Sequence, residues 1–289
     1  MNCHRVRFDT GWGVAPNIAP RLALKGHWER KMNKPLSSTS EKARVYDSSS
    51  PEYQAAFRTF LSCTDQKEKA MAFLDNEIKL LPGKDTFIDV GAGTGKLTAH
   101  YAPSFRHTLA IEPNPSLVSE LRTNCSGVTI FQNNLNEAVV SQKADFVLCS
   151  HVFYYLPRHM WLASLDKMAG WLAVGGVLEI ALQNRDTDCM KMLSHFLNQR
   201  FDLAGLAAEF SDRAGRLFAV SLTTVPATIR TASLHEACCV AEFMLNLLPM
   251  PAPPLMKDLE SYVQRCFLHS GSFEYSCDQD FLRVQRLNE

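Results

Sequence analysis

The stretch Thr86-Phe-Ile-Asp89-Val90-Gly91-Ala92-Gly93-Thr94-Gly95-Lys96 decides how the rest of the chain is read. Five residues, mostly apolar, run straight into a loop with a glycine at every second position, and a helix follows. A strand ending on such a loop is the ligand-facing corner of an open α/β sheet. A P-loop would need GxxxxGK followed by Ser or Thr. Here Leu97 follows Lys96, and Val90 stands where the leading glycine belongs. A dinucleotide loop would need Gly or Ala at the position of Lys96. The remaining spacing, hxDxGxGxG, gives room and unusual φ/ψ where backbone is approached by a nucleoside with an amino-acid tail.

Outward from this loop, strands alternate with helices. Leu109-Ala-Ile111, Val128–Phe131 and Phe146–Cys149 read as strands, with helices over 115–124 and 159–172 between and after them. Gly175-Gly176 reads as a turn into the strand Val177–Leu182. This alternation predicts a parallel sheet with right-handed crossovers. Upstream, Ser50-Pro51 starts a helix over 51–62 that places Tyr53, Phe57, Phe60 and Leu61 on one face. A second helix spans 65–81 and is ended by Gly83. Beyond 183 the pattern predicts a helix near 187–199, extended segments over 216–232, and helices over 234–248 and 255–267. Phe273–Tyr275 and Phe281–Val284 read as a closing hairpin. Residues 1–40, mixed in Gly, Pro, Ser and basic residues without period, read as a poorly ordered arm.

The 289 residues suffice for one large α/β domain or two small ones, and 46% hydrophobic with 21% charged is ordinary globular usage. Thirty basic residues balance thirty acidic ones, which argues against a chain built to coat nucleic acid or an anionic membrane. No run of eighteen apolar residues predicts a membrane span, and Pro16, Pro20 and Arg21 interrupt any signal-peptide core. Nine cysteines without a CxxC pair fit neither a zinc site nor a disulfide framework. Reduced thiols and a cytoplasmic location are expected, with no metal.

The loop, with Glu112 ending the next strand in Ala-Ile-Glu-Pro, resembles the class I S-adenosylmethionine-dependent methyltransferases over about 86–182. The resemblance implies a Rossmann-like, doubly wound, seven-stranded α/β sheet, mostly parallel with a closing antiparallel hairpin. It also implies S-adenosyl-L-methionine as cofactor and S-adenosyl-L-homocysteine as product. Asp89, Gly91, Ala92 and Gly93 would pack on its methionine part, and Glu112 with Pro113 would meet the ribose. A carboxylate suits two vicinal hydroxyls because it accepts from both. Asn133 and Asn134 would stand beside the adenine, and Tyr46 and Ser150 complete the expected cofactor contacts. In Asp145–Leu156, Ser150 and His151 fall at the carboxyl end of the fourth strand, where ligands of open sheets bind.

Tyr53-Gln-Ala-Ala-Phe57-Arg-Thr-Phe60-Leu61 with Thr64-Asp65, His151–Tyr155, the Ala-Pro-Pro-Leu stretch at 252–255 and the segment 273–284 resemble histamine N-methyltransferases distantly, over about 46–285. That family has Glu at Asp65, Gln at His151 and Asn near Cys277. The resemblance implies a single domain over 41–289: a helical lid at 46–82, a cofactor core at 86–182, a substrate-side insertion at 186–270 and the hairpin at 272–285. Tyr53, Phe57, Phe60, Asp65, His151, Tyr154, Tyr155 and Cys277 would face the substrate, with His151 and Tyr154 at the chemistry. Aromatic faces suit a flat or cationic acceptor, and Asp65 is a candidate partner for an amine. His151, titrating near neutrality, is a candidate base or orienting group. The expected acceptor is a small molecule, foremost a nitrogen of an aromatic or heteroaromatic amine. Oxygen or carbon acceptors, and a non-catalytic interaction protein, stand as alternatives. Nothing in the sequence sets the oligomeric state.

Overall fold

Thr86–Val90 is buried at every residue and is an interior strand, third in order, of a seven-stranded sheet. The computed structural model describes residues 40–46, 50–248 and 250–288. The expected arm, except for its last residue, lies outside the described residues, as do three residues between Tyr46 and Ser50. In chain order the elements begin with α1 (Pro51–Cys63), α2 (Gln66–Lys79), β1 (Thr86–Val90), α3 (Lys96–Tyr101), β2 (His107–Ile111), α4 (Pro115–Asn124), β3 (Thr129–Phe131) and β4 (Ala144–Ser150). They continue with α5 (Trp161–Gly170), β5 (Leu172–Gln183), α6 (Asp188–Leu197), α7 (Leu203–Ala214), β6 (Phe218–Val225) and β7 (Thr228–Thr231). The chain closes with α8 (Leu234–Leu245), α9 (Met256–Phe267), β8 (Leu268–His269), β9 (Ser272–Ser276) and β10 (Gln279–Arg286).

The sheet order is β3-β2-β1-β4-β5-β10-β6. β1 pairs in parallel with both β2 and β4, while β10 runs antiparallel between β5 and β6. The chain moves outward from β1 to β3, then returns to the other side of β1 to lay down β4. The loops that leave β1 and β4 therefore part to opposite faces, and the crevice between them is where such sheets bind ligands. Both strands are covered on two faces, which is why they read as near-continuous apolar runs. Along them the side chains alternate between two cores. Phe87, Phe146 and Leu148 pack with Leu74, Ile78 and Tyr101 of α2 and α3. Ile88, Val90, Val147 and Cys149 face the larger core, which runs through α5 to α9.

Local signals start the flanking helices where expected. Ser50 Oγ accepts from the Tyr53 N–H and Pro51 opens α1; Asn114 Oδ1 accepts from the Ser116 N–H and Pro115 opens α4. Three expectations are corrected. Gly175-Gly176 is no turn: β5 runs through it, and a Cβ on Gly176 would come within 2.5 Å of the Ala144 carbonyl, so a bare backbone is needed there. The stretch before 216 holds a helix not foreseen, α7, capped by Asp202 and burying Leu203, Leu206, Ala207 and Phe210. The closing segments are not a hairpin. β9 joins β7 and β8 in a separate three-stranded sheet, while β10 enters the main sheet. The Cys277 N–H donates to the Ala227 carbonyl at 2.9 Å, at the crossing between the two sheets. Among the described residues no helix is long and apolar enough to cross a membrane.

Candidate functional site

The loop after β1 is held in left-handed backbone at three glycines, with φ of +72° at Gly91, +57° at Gly93 and +85° at Gly95. Their surroundings differ. A Cβ on Gly91 would meet Val152 at 2.3 Å, and one on Gly95 would meet Leu121 at 2.6 Å. These two keep the loop tight against its neighbours. A Cβ on Gly93 would meet nothing within 4 Å. Gly93 therefore borders open space, and its N–H donates to Glu112 Oε2 at 2.9 Å. The other Glu112 oxygen accepts from the Asn114 N–H at 2.8 Å, and the residue is 5% exposed. Gly91 and Ala92 donate their N–H groups to the Ile111 carbonyl, which ties the loop to the end of β2. Asp89 is buried below, accepting from Thr98 Oγ1 at 2.6 Å; burial, with Glu112 nearby, pushes its carboxyl up to about 6.

Beside this loop, at the end of β4, Ser150 is half-buried and His151 turns the chain with φ +59°, an uncommon left-handed conformation for a residue other than glycine. The His151 N–H donates to the Ala181 carbonyl, its ring stacks on Tyr154 at 5.7 Å, and its Nε2 lies 2.6 Å from the Gln279 amide nitrogen. With the amide N–H donating, the ring proton rests on Nδ1. Burial, with the charge of Lys67 in support, pushes the imidazole down to about 4. The expectation of titration near neutrality is thereby corrected. Tyr154 is anchored in turn: its hydroxyl accepts from the Gln183 N–H at 2.7 Å, and its ring meets Phe201 edge-on at 4.9 Å. His151, Tyr154 and Lys67 are enclosed deeply enough to shift their titration, yet each keeps accessible surface.

The aromatic stripe of α1 meets α8. Tyr53, Phe57 and Phe60 all pack on Phe243, with centroids 5.5, 5.5 and 5.2 Å away. Phe60 is part of the core, whereas Tyr53 and Phe57 are half-buried. Tyr155 is 68% exposed, and partial burial followed by the charge of Glu112 pushes its phenol up. Tyr46 meets the C-terminal end of α8, its N–H on Asn246 Oδ1 at 2.7 Å and its ring under the Arg44 guanidinium, which pairs with Glu242.

Four further predicted positions are engaged in the protein's own contacts or lie at its surface. Asp65 accepts from Lys69 Nζ at 2.8 Å and from the Thr228 N–H at 2.8 Å. Cys277 is fully buried, its Sγ 3.3 Å from Thr64 Oγ1. Asn133 and Asn134 are exposed, and Asn134 Oδ1 caps the following turn by accepting from the Glu137 N–H. Pro113 is exposed beside Glu112. Four residues that the sequence reading passed over belong here: Lys67, Phe243, Gln183 and Gln279. A lysine in a first helical turn and glutamines in strands carry no periodic signal. Phe243 had one, being on the apolar face of a helix. Among the described residues no three His, Cys, Asp or Glu side chains gather as metal ligands would.

A model of the methyltransferase domain family matches residues 54–219, more than half of the chain. In three dimensions the chain is similar to the N-methyltransferase NodS from Bradyrhizobium japonicum, solved in complex with S-adenosyl-L-homocysteine. The TM-score is 0.50 and the identity 14%, over 83% of this chain and 100% of that one. It is also similar to the YcgJ protein from Bacillus subtilis, with a TM-score of 0.55 and 12% identity over 75% of this chain and 98% of that one. At such identities the likeness is one of fold. No curated protein matches the chain.

Proposed function

The chain belongs to the methyltransferase domain family, and from that membership we propose that it moves a methyl group from S-adenosyl-L-methionine to a nitrogen of an aromatic or heteroaromatic small molecule. The observation that carries the cofactor half is Gly93, whose missing side chain opens onto free space beside a buried carboxylate. Gly91 to Gly93 would hold the methionine part and Glu112 the ribose hydroxyls. When bound, the cofactor supplies an already activated methyl, so the protein's task is alignment and exclusion of water.

The choice of nitrogen rests on His151. An imidazole held near 4 is a poor base at neutral pH, so we assign it an orienting role, fixed by Tyr154 and Gln279. A phenol needs a base to become nucleophilic; an aniline-like or heteroaromatic nitrogen does not. The positive charge of Lys67 nearby also disfavours a protonated aliphatic amine. With Asp65 committed to Lys69 and Thr228, histamine itself is not the acceptor proposed, although the likeness to histamine N-methyltransferases in the scaffold stays part of this reading. Tyr53, Phe57 and Tyr155 would offer ring faces to a flat substrate. A cytoplasmic site of action agrees with the eight described cysteines all being free thiols.

The test is transfer from methyl-labelled S-adenosyl-L-methionine to matched panels of aromatic amines, heteroaromatics, phenols and aliphatic amines. Labelling confined to aromatic and heteroaromatic nitrogens is expected. Labelling of phenols alone would overturn the choice of acceptor.

A further inference from the structure

Gln279 opens β10 and stands directly opposite Gln183, the last residue of β5, in the antiparallel pairing of the two strands. Residues paired in this way turn their side chains to one face of the sheet, and both glutamines are 3% exposed. They act on two neighbouring rings. The Gln183 N–H holds the Tyr154 hydroxyl at 2.7 Å, and the Gln279 amide nitrogen lies 2.6 Å from His151 Nε2. His151 is thus gripped from three directions. Its backbone N–H donates to the Ala181 carbonyl of β5 at 2.8 Å, its ring stacks on Tyr154, and its Nε2 edge meets Gln279. Rotating the imidazole away would break both the stack and the bond from the amide.

An amide can turn either end to an imidazole. With its N–H donating, it takes the Nε2 lone pair and leaves the single proton of a neutral ring on Nδ1. With its oxygen accepting, that proton would sit on Nε2. The surroundings of Gln279 separate the two. Its Oε1 is buried with no partner among the described residues. Turning the amide over would put two N–H groups in that place, and orphaned buried N–H groups are rarer than unpartnered carbonyl oxygens. The ring holds one proton only, because burial, with Lys67 as the charge that adds to it, pushes the imidazole down to about 4.

We propose that Gln279 is a positioning residue of the acceptor site: by occupying the Nε2 lone pair it makes His151 present an N–H donor, and not a base, to the methyl acceptor. This rests on the methyltransferase reading and on the orienting role of His151, and it narrows the acceptor. The acceptor nitrogen must arrive already neutral, and the molecule must bring a lone pair to the imidazole N–H. A heteroaromatic with a second, bare ring nitrogen has both.

The experiment uses the full chain with isotope-labelled histidine nitrogens, saturated with S-adenosyl-L-homocysteine at about pH 9, well above the ordinary imidazole value. Protonated and bare ring nitrogens resonate far apart, so nitrogen NMR reads the tautomer directly, and the His151 signals are those that vanish in His151→Gln. Wild type is expected to show a bare Nε2 and a protonated Nδ1. Gln279→Glu, whose carboxylate can only accept, should move the proton to Nε2. Titration with quinoline, which offers a lone pair, and with indole, which offers an N–H, should give a ratio of Kd values that shifts about fivefold or more toward indole in that variant. Gln279→Met, without an N–H to donate, should also lose the wild-type pattern, and it replaces the glutamate variant if that one does not fold. A proton on Nε2 in wild type overturns the proposal, as does a bare Nε2 that persists in a folded variant. The expected tautomers with an unchanged Kd ratio, or with neither probe bound, overturn it together with the orienting role of His151. Failure of wild type to bind S-adenosyl-L-homocysteine at all would instead strike the methyltransferase reading beneath it.

Discussion

The cofactor side and the acceptor side of the site are built on different length scales. On the cofactor side, Gly93 and Glu112 lie at the ends of adjacent parallel strands, and one backbone hydrogen bond joins them. Everything needed is encoded within a single strand–loop–helix–strand unit. On the proposed acceptor side, Phe57 meets Lys67 and Phe243, and His151 meets Gln279, contacts between separate parts of the chain that form only after the sheet and its cap have closed. The difference teaches where damage should show. A change on the first side should cost binding with the fold intact, whereas a change on the second should mix stability with specificity.

Gly93→Arg sharpens this comparison most. No protein atom stands within 4 Å of a Cβ there, so the fold should survive while the gap is filled. Calorimetry should show S-adenosyl-L-homocysteine binding abolished and the urea midpoint shifted only by the strain of a positive φ. Tight binding retained would break the assignment of the loop.

Phe243→Ala should do the reverse. Its ring is 2% exposed and is the common contact of Tyr53, Phe57 and Phe60. Urea unfolding should show a loss of about 3–5 kcal/mol. Phe57→Ala, at a half-buried ring, should cost clearly less stability and act mainly on acceptor KM. Equal destabilisation by the two would place Phe57 in the core and remove it from the proposed acceptor contacts.

His151 tests a smaller effect. Loss of one orienting hydrogen bond should lower kcat by about tenfold in His151→Ala, while His151→Gln should retain most activity. Neither should change cofactor affinity. Between pH 6 and 9 (a window above the imidazole's value of about 4) no inflection in kcat/KM should belong to this residue. A drop of hundredfold or more in both variants, with a wild-type inflection near 6.5 that they lose, would restore the base role.

The smallest effect concerns stability against pH. Burial depresses the folded imidazole from its ordinary 6.5 to about 4, so the unfolded chain takes up this proton first as pH falls. The associated stability is fully present above pH 6.5 and is lost as pH falls through 4. Wild type should therefore lose on the order of 1 kcal/mol relative to His151→Gln across that window. Parallel urea titrations at pH 7.5 and pH 4 would show it, and identical pH dependence would mean that His151 is hydrated when folded.

The helices and strands near the glycine loop were legible because each announces itself locally: Ser50-Pro51 and Asn114-Pro115 as helix starts, buried runs as central strands. α7 was also written in the chain, as an Asp202 cap and apolar residues at 203, 206, 207 and 210, but it lies where the strand–helix alternation weakens. The final strands were legible as strands and not as partners. Period-two alternation says which face of a strand is buried and nothing about which strand lies beside it. A short polar turn suggested a hairpin, yet Cys277 bonds to Ala227 and the chain passes from one sheet to the other.

The sequence by itself determined the doubly wound sheet, the glycine loop and its partner Glu112, since propensity, caps and the order of elements act over a few residues and carry that information locally. Only the tertiary structure decided that Asp65 pairs with Lys69 and Thr228, that burial pushes the His151 imidazole down to about 4, and that Lys67 lies over the Phe57 ring. These properties depend on desolvation and on charges brought close by contacts between distant segments, and a side chain's type does not record what will surround it.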